Sequence, residues 1–426
     1  MRQLFDLFYQ CTGISTDTRA LEKECMFVCL KGDRFDANEF AEQAIQSGAK
    51  CVISSDRTKC DGLSIHYVEN TLIFLQQLAH QHRKRYKIPV LGITGSNGKT
   101  TTKELINAVL CTGKKVLCTK GNLNNHIGVP LTLLQLRPEH EIAIVEMGAN
   151  RPGDIAELCD IAEPTHGIIT NIGRAHLEGF GSFEGVLATK LALYRSVSDQ
   201  HGTLFVNADD ESLTLHLPKF KLSRSTYAIE HDAEVVGTLN ELSPYVAFSY
   251  KTHDGTFGPI QTHLVGAYNL YNFLSAVCIA MHFGISHTQI EAALSSYIPS
   301  NNRSQVQNTE RNTLIVDCYN ANPSSMSAAL TSFKHIASNK KLAILGDMLE
   351  LGEVAQEEHR ATLEFCRNSG IPYLTVGREF GQCSSENHYE NVQLLLDGGY
   401  LASIHDTTIL VKGSRGIGLE KIIAYL

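Results

Sequence analysis

Short apolar runs recur along this chain, and they fall into three sections. In residues 1–87 the pattern predicts strands at 26–30 and 51–53 and a helix at 41–47. The basic run at 80–85 ends this section, and it predicts the last turns of a helix followed by a linker. A charge run of this kind most often forms a solvated face.

Residues 88–301 alternate apolar runs with helix-like segments. The apolar runs predict strands at 90–93, 142–145, 167–170 and 203–206. Because these runs are apolar on both faces, they favour a parallel sheet covered by helices on both sides. Glycines, prolines and polar residues between 227 and 263 predict smaller antiparallel strands attached to that sheet.

The alternation restarts in residues 302–426. It predicts strands at 313–316, 342–345, 373–376 and 408–411, and helices at 324–336, 355–368 and 419–426. The whole pattern therefore predicts an α/β protein with three domains, at 1–87, 88–301 and 302–426. A cleft between the last two could close on substrates.

Composition narrows the function classes. A net charge of −8 argues against a nucleic-acid partner, since a phosphate backbone attracts a basic surface. None of the 12 cysteines forms a C-x-x-C pair, which favours reduced thiols and a cytoplasmic location. The N-terminus lacks the long apolar segment of a signal peptide, and no apolar run approaches membrane-spanning length, so we expect no membrane insertion.

The segment at residues 92–101, GITGSNGKTT, is the strongest chemical signal. It follows an apolar strand and opens a helix at 102–110, as in loops that bind nucleoside triphosphates such as ATP through backbone amides, a lysine and a hydroxyl. The strict pattern requires a glycine five residues before Gly98, where this chain has Ile93. The alternative is a glycine turn with a surface lysine, which the flanking strand and helix disfavour.

Polar residues follow several of the predicted strands, where parallel sheets bind ligands. Glu146 is placed like a Mg²⁺ or water-binding carboxylate, although it could instead cap a helix. His176 follows another strand and could bind metal or phosphate, or be ordinary polar surface. Lys190 lies in a predicted helix at 185–196, where a lysine is usually solvated. Asp317 begins a polar loop that could be a helix cap or a binding loop.

Several of these segments together resemble the ATP-dependent Mur ligases of peptidoglycan synthesis, over essentially the whole chain. The motifs that carry the resemblance lie at residues 15–19, 30–32, 35–36, 94–101, 121–130, 317–323, 346–352 and 412–415. The resemblance implies a small N-terminal α/β UDP-binding domain, a central P-loop ATPase domain with a parallel sheet, and a C-terminal Rossmann-like α/β domain. It also implies amide-bond formation through an acyl phosphate, with ATP and Mg²⁺.

The resemblance further implies roles for individual residues. The ATP-binding positions would be Gly95, Ser96, Asn97, Gly98, Lys99, Thr100, Thr101, Asn269, Asn272, Arg303 and Asp317. The catalytic positions would be Lys99, Glu146, His176 and Lys190. Two Mg²⁺ ions would be held, one by Thr100 and Glu146 and the other by His176 and Lys190. In the family the lysine that matches Lys190 is commonly carbamylated, although the residues around it match only in part. The residues before Arg303 lack the usual glycine.

The substrates implied by the resemblance are UDP-N-acetylmuramoyl-tripeptide and D-alanyl-D-alanine, bound by a monomer. The substrate-binding positions would be Ser15, Thr16, Asp17, Arg19, Lys31, Asn124, Asn125, Asn320 and Asn322. Two alternatives remain at this stage. One is another amide ligase of the same superfamily, such as a folylpolyglutamate-like enzyme, and the other is a P-loop phosphotransferase.

Overall fold

A computed structural model describes residues 2–33, 35–61, 63–220, 222–300, 302–384 and 386–426. The structure confirms the α/β class, and in the described residues it has three larger sheets in chain order and one two-stranded sheet. The domain boundaries at 87 and 301 stay predictions, and Asn301 lies outside the described residues. Within the described ranges, every helix is too short or too polar to traverse a lipid bilayer.

The N-terminal section contains a parallel sheet in the order β1-β2-β5-β6, and a hairpin of β3 and β4. Its strands are β1 (Ile14–Ser15), β2 (Met26–Val28), β3 (Lys31–Gly32), β4 (Phe35–Asp36), β5 (Cys51–Ser54) and β6 (Ile65–Tyr67). Its helices are α1 (Arg2–Phe8), α2 (Ala41–Gln46) and α3 (Thr71–Arg83), with 3₁₀ turns at Thr18–Ala20, Ala37–Phe40 and Arg57–Lys59.

The basic run at 80–85 does end a helix, but the expectation of a solvated face is wrong for part of it. His82 and Arg83 are buried where α3 meets the central section. His82 Nε2 lies 3.1 Å from the Leu136 carbonyl oxygen, and Arg83 Nε donates to the Ala162 carbonyl at 3.0 Å. These side chains are buried because neighbouring backbone carbonyls satisfy their polar atoms.

The central section is built on a nine-stranded sheet in the order β15-β14-β13-β12-β11-β10-β7-β9-β8. Its strands are β7 (Val90–Thr94), β8 (Val116–Cys118), β9 (Ile142–Glu146), β10 (His166–Ile169), β11 (Thr203–Asn207), β12 (Ser223–Ala228), β13 (Val235–Glu241), β14 (Ala247–Thr252) and β15 (Gly255–Gln261). The strands from β8 to β13 pair in parallel, and β13, β14 and β15 pair antiparallel, as predicted.

Helices cover both faces of this sheet. They are α4 (Lys99–Leu110), α5 (Gly128–Leu133), α6 (Asp154–Ala162), α7 (Leu177–Phe180), α8 (Phe183–Asp199), α9 (Glu211–Thr214), α10 (Asn269–His282) and α11 (His287–Ser296), with a 3₁₀ turn at Leu217–Lys219. Alternate residues of one strand serve opposite faces: Val145 packs in the core with α6 and α8, and Ile144 in the core with α4 and α10. This explains the uniformly apolar strands.

The C-terminal section has a six-stranded sheet in the order β16-β17-β21-β18-β19-β20, parallel except for the β16–β17 pair. The strands are β16 (Gln305–Asn308), β17 (Thr313–Asp317), β18 (Lys341–Gly346), β19 (Tyr373–Val376), β20 (His388–Tyr389) and β21 (Thr408–Lys412). The helices are α12 (Pro323–His335), α13 (Ala355–Asn368), α14 (Arg378–Cys383) and α15 (Val392–Asp397), with 3₁₀ segments at Gly352–Val354, Tyr400–Ser403, Arg415–Ile417 and Leu419–Tyr425.

The last segment differs from the prediction, since Leu419–Tyr425 is a 3₁₀ helix rather than an α-helix. Leu419 and Ile422 are both fully buried, and their spacing of three residues matches the 3₁₀ repeat. The 3₁₀ segment thus places both side chains in the core of the C-terminal section.

Candidate active site

The loop between β7 and α4 has a backbone that requires glycine at two positions. Gly95 has φ +148°, and a Cβ there would lie 1.9 Å from Thr170 Oγ1. Gly98 has φ +78°, and a Cβ would lie 2.8 Å from Asn272 Oδ1. The glycines allow the loop to pass close to its neighbours and then to open the helix α4.

The end of the adjacent strand β10 holds this loop in place. The Ser96 amide donates to the Asn171 carbonyl, and the Asn97 amide donates to Asn171 Oδ1, both at 3.0 Å. Thr170 Oγ1 donates to the Asn97 carbonyl at 2.6 Å. These contacts fix the loop so that the first turn of α4, with its unpaired amides and positive dipole end, opens onto a cleft.

Two lysines converge behind the loop. Lys99 Nζ donates to the Gly95 carbonyl at 2.7 Å, and Lys190 Nζ donates to the same oxygen at 3.0 Å. Burial lowers the pKa of Lys99 to about 8. Burial, and then the charge of Lys99, lower the pKa of Lys190 well below its usual range. Where it is protonated, Lys99 places a positive charge at this carbonyl oxygen and would stabilise an anion bound by the loop.

Glu146, the last residue of β9, faces the loop. Its Oε1 accepts from Thr100 Oγ1 at 3.0 Å and from Asn124 Nδ2 at 2.9 Å. Its Oε2 is buried without a hydrogen-bond partner, and the nearest cation is Lys103 Nζ, 3.8 Å away. A buried carboxylate oxygen with an open position is suited to a divalent cation.

His176 lines the same cleft as Glu146 and lies in the turn that precedes α7. Its φ is +53°, and its Nδ1 is hydrogen-bonded to Glu350 Oε2 of the C-terminal section. Burial lowers the pKa of His176, and Lys99 and Lys190 act in the same direction while Glu350 opposes them.

The outer part of the cleft combines amides and aromatic rings. Asn272 accepts from Thr102 Oγ1 at 3.0 Å and donates to Asn269 Oδ1 at 2.7 Å, so this pair of amides braces the first turn of α4. The Arg303 guanidinium stacks 3.8 Å from the centre of the Tyr319 ring, and its buried Nε has no hydrogen-bond partner. An unpaired cationic donor beside an aromatic face is suited to contact a nucleotide.

The loop at 317–323 brings the C-terminal section against the phosphate loop. Asp317 Oδ2 accepts from Lys412 Nζ at 2.6 Å, and Lys412 also reaches the Asn320 carbonyl at 3.4 Å. Asn322 caps α12 by accepting from the Ser325 amide at 2.9 Å, and its Nδ2 donates to Asn97 Oδ1 at 2.8 Å. The last bond joins the two sections across the cleft.

The cleft has a cavity volume of about 870 Å³. Among the residues expected from the sequence, it is lined by Ser96, Asn97, Gly98, Lys99, Thr100, Thr101, Asn124, Asn125, Glu146, His176, Asn269, Asn272, Arg303, Asp317, Asn320 and Asn322. Gly95 belongs to the loop itself, and Lys190 of α8 is joined to it by a hydrogen bond from its Nζ to the Gly95 carbonyl. Their roles stay predictions, but the structure brings these residues together.

The expected substrate positions of the N-terminal section do not line this cleft, and they lie at the end of β1, in the turn after it and in the β3–β4 hairpin. The Asp17 carboxylate forms an ion pair with the exposed Arg19 at 2.6 Å and also accepts a hydrogen bond from the Arg19 backbone amide at 2.9 Å. Ser15 Oγ donates to the Asp17 carbonyl at 3.0 Å. Thr16 lies within this turn, and Lys31 pairs with Asp36 at 2.8 Å in the β3–β4 hairpin.

Sequence reasoning missed several residues that the site contains. Lys103 is fully buried beside Glu146, and its Nζ donates to the Thr119 carbonyl at 2.8 Å. Nothing in the sequence distinguishes it from a solvated helix lysine. Asn171 directly follows a predicted strand, and Lys412 and Glu350 lie in motifs that carry the family resemblance, but the sequence predicts no role for any of them.

The donor set of the cleft fits a magnesium ion that also binds phosphate oxygens. In the part of the chain that the structure describes, no three His, Cys, Asp or Glu side chains cluster as a complete metal site. Mg²⁺ commonly takes only one or two carboxylates from the protein and completes its shell with phosphates and water. The unpaired Glu146 Oε2 beside the Thr100 hydroxyl matches that pattern.

Comparison with known proteins agrees with this architecture. The Mur ligase family catalytic domain matches residues 10–96, the Mur ligase middle domain matches 93–280, and the Mur ligase glutamate ligase domain matches 302–415. The UDP-N-acetylmuramoyl-tripeptide–D-alanyl-D-alanine ligase of Bacillus subtilis is 33% identical, over 96% of this chain and 92% of its own.

Solved structures are similar along the full length. MurF from Acinetobacter baumannii has a TM-score of 0.87 at 28% identity, and MurF ligase from Thermotoga maritima, in complex with ADP, has a TM-score of 0.85 at 26% identity. Each comparison covers 99% of this chain and 97% of the other. With three family models matched in chain order and a relative of this identity over nearly the whole length, the chain belongs to the Mur ligase family.

Proposed function

We propose that this chain joins D-alanyl-D-alanine to UDP-N-acetylmuramoyl-tripeptide at the expense of ATP, giving the pentapeptide precursor of peptidoglycan, ADP and phosphate. The observation that carries the proposal is the Asn97–Asn322 contact, which sets a nucleotide-type phosphate loop against the 317–323 loop across one cleft. The full-length similarity to ligases of that name supports the choice of substrates.

In the first step, an oxygen of the tripeptide's terminal carboxylate attacks the γ-phosphorus of ATP. The bond from that phosphorus to the bridging oxygen breaks, so ADP leaves and an acyl phosphate forms. Lys99 and the amides of the phosphate loop stabilise the charge that develops on the transferred group and on ADP. Their arrangement exists before the substrate arrives, because Asn171 and Thr170 already hold the loop.

In the second step, the amine of D-alanyl-D-alanine attacks the acyl carbon. The carbon–oxygen bond to phosphate breaks, phosphate leaves, and the nitrogen releases a proton as the amide forms. The 317–323 loop would hold the dipeptide through Asn320 and Asn322, and the C-terminal section would shield the acyl phosphate from water.

Mg²⁺ held by Thr100 and Glu146, and by His176 and a carbamylated Lys190, would supply positive charge to the phosphate oxygens. The low pKa of Lys190 supports the carbamate, because only a neutral amine adds carbon dioxide, releasing one proton.

The adenosine and phosphates of ATP would be held by Asn269, Asn272, Arg303 and Asp317. The UDP part of the substrate would be held by Ser15, Thr16, Asp17, Arg19 and Lys31.

The test is release of ADP by the purified protein with ATP, UDP-N-acetylmuramoyl-tripeptide and D-alanyl-D-alanine, omitting each in turn. We expect ADP and the pentapeptide to form in equal amounts, and only in the complete mixture. A panel of other amines and acceptors, including glutamate with a folate, separates this activity from those of other ligases. Transfer of phosphate to a stable product without an amine would instead indicate a phosphotransferase.

A further inference from the structure

The contact between His176 and Glu350 joins two sections of the chain at the cleft. His176 follows β10 of the central sheet, and Glu350 follows β18 of the C-terminal sheet. The hydrogen bond links His176 Nδ1 with Glu350 Oε2, while the Glu178 amide lies 3.5 Å from the Glu350 carbonyl oxygen. Close by, Arg174 Nη1 donates to Glu358 Oε1 at 3.1 Å. The turn at 174–178 thus docks directly onto the segment at 350–358.

Both partners have backbone conformations that a side chain disfavours. His176 has φ +53° and Glu350 has φ +65°, and neither residue is glycine. Such conformations persist where the surrounding structure holds them, and they concentrate at functional sites. Here the two residues with unfavourable conformations are hydrogen-bonded to each other across the interface.

The chemistry of the pair follows from the two ring nitrogens of histidine. A carboxylate accepts the proton of Nδ1, which leaves the lone pair of Nε2 available to a ligand. His176 lines the cleft beside Lys99, so a metal ion or a phosphate group bound there is within its reach. Carboxylates that orient histidine ligands in this way typically change metal affinity or activity by about 10–100-fold when removed.

We propose that Glu350 is a positioning residue that fixes the Nδ1–H tautomer of His176, so that His176 is oriented only when the C-terminal section is docked. Its consequence for turnover rests on the proposed ligase function, but the orientation itself does not. Docking of the C-terminal section and assembly of the phosphate site are then one event, because the residue that orients the histidine belongs to the C-terminal section.

The direct measurement is the ¹⁵N NMR shift of the His176 ring nitrogens at about pH 8, in protein labelled at histidine. His176→Gln identifies the signals. We expect the wild-type spectrum to show protonated Nδ1, and Glu350→Ala to lose that signature. Glu353→Ala is the matched control, because Glu353 is an exposed glutamate in the 3₁₀ turn that follows. Its spectrum should match that of the wild type.

Turnover supplies the second readout. Glu350→Ala is expected to lower kcat by about 10–100-fold with a thermal midpoint close to that of Glu353→Ala. An unchanged tautomer in Glu350→Ala overturns the proposal, and so does a kcat equal to that of the control. If the tautomer changes but the wild-type protein forms no pentapeptide, the positioning role stands and the proposed function fails.

Discussion

Single residues in the cleft were partly predictable from the sequence. Lys99 and Glu146 could be found because a glycine loop and the carboxyl end of a strand have recognisable patterns. Lys190 could be found only through the family resemblance, since its helix gives no sign that the amine is buried against Gly95. The sequence does not predict the importance of Lys103 and Glu350, because it depends on contacts with residues far away along the chain.

Lys99→Ala tests the charge that the phosphate loop contributes. We expect kcat to fall by about a hundredfold or more, or about 3 kcal/mol, which is typical for loss of a preorganised electrostatic contact in a transition state. The assay is steady-state release of ADP with all substrates present. Lys87→Ala, which alters an exposed lysine just before β7, should leave kcat unchanged. Near-wild-type turnover in Lys99→Ala would refute the assigned role of the loop.

Lys190→Ala tests the carbamate. The variant should lose activity, and acetate or another short carboxylic acid should restore part of it by placing a carboxylate where the carbamate would be. Activity is measured against acid concentration, with Lys190→Arg as the companion variant, whose larger cation should block the rescue. Full activity in Lys190→Ala without added acid would remove the carbamate from the mechanism.

At the level of elements, the hydrophobic pattern predicted the central strands and the two helical layers, because burial on both faces leaves an unmistakable apolar run. It did not predict the fate of the basic end of α3. There, His82 and Arg83 become part of the interface with the central section, since backbone carbonyls of that section accept their hydrogen bonds. Backbone carbonyls that are distant in sequence cannot be identified as hydrogen-bond partners before the tertiary structure is known.

His82 makes this interface sensitive to acid. Burial lowers its pKa to about 4, with Arg137 and Arg85 adding to the effect, whereas an unfolded histidine titrates near 6.5. Below about pH 6.5 the unfolded chain binds a proton that the folded chain excludes, so the free energy of unfolding falls as the pH approaches 4. When the pH is lowered from about 7.5 to 5, we expect the free energy of unfolding of the wild type to fall by about 2 kcal/mol more than that of His82→Gln.

Urea unfolding at a series of pH values measures this difference. His253→Gln is the matched control, because the side chain of His253 is 83% exposed and its replacement should leave the pH dependence unchanged. Parallel curves for the wild type and His82→Gln would show that His82 is not the group responsible.

At the scale of the whole molecule, the sequence predicted a cleft between the central and C-terminal sections, but not the contacts that close it. Asn322 was expected at the site, yet its bond to Asn97 depends on how two separate sheets face each other. The Arg174–Glu358 and His176–Glu350 contacts depend on the same arrangement. No periodicity within either section encodes these pairings.

Asn322→Ser isolates one contact of this closure. Serine can still cap α12, but its short side chain lacks the amide that donates to Asn97. We expect affinity for a non-hydrolysable ATP analogue, measured by calorimetry, to fall by roughly fivefold, which corresponds to about 1 kcal/mol for one neutral hydrogen bond. Asn391→Ser changes an equivalent cap at α15 and should leave this affinity unchanged. Equal affinities in the two variants would contradict a contribution of the Asn97–Asn322 bond to nucleotide binding.

The central claim is that a peptide carboxylate is activated as an acyl phosphate and then captured by D-alanyl-D-alanine. The most direct test supplies UDP-N-acetylmuramoyl-tripeptide labelled with ¹⁸O in its terminal carboxylate, together with ATP and D-alanyl-D-alanine, and analyses the products by mass spectrometry. The account predicts the pentapeptide and the transfer of a single ¹⁸O atom to each phosphate released. Phosphate without the label, or the absence of pentapeptide, would contradict it.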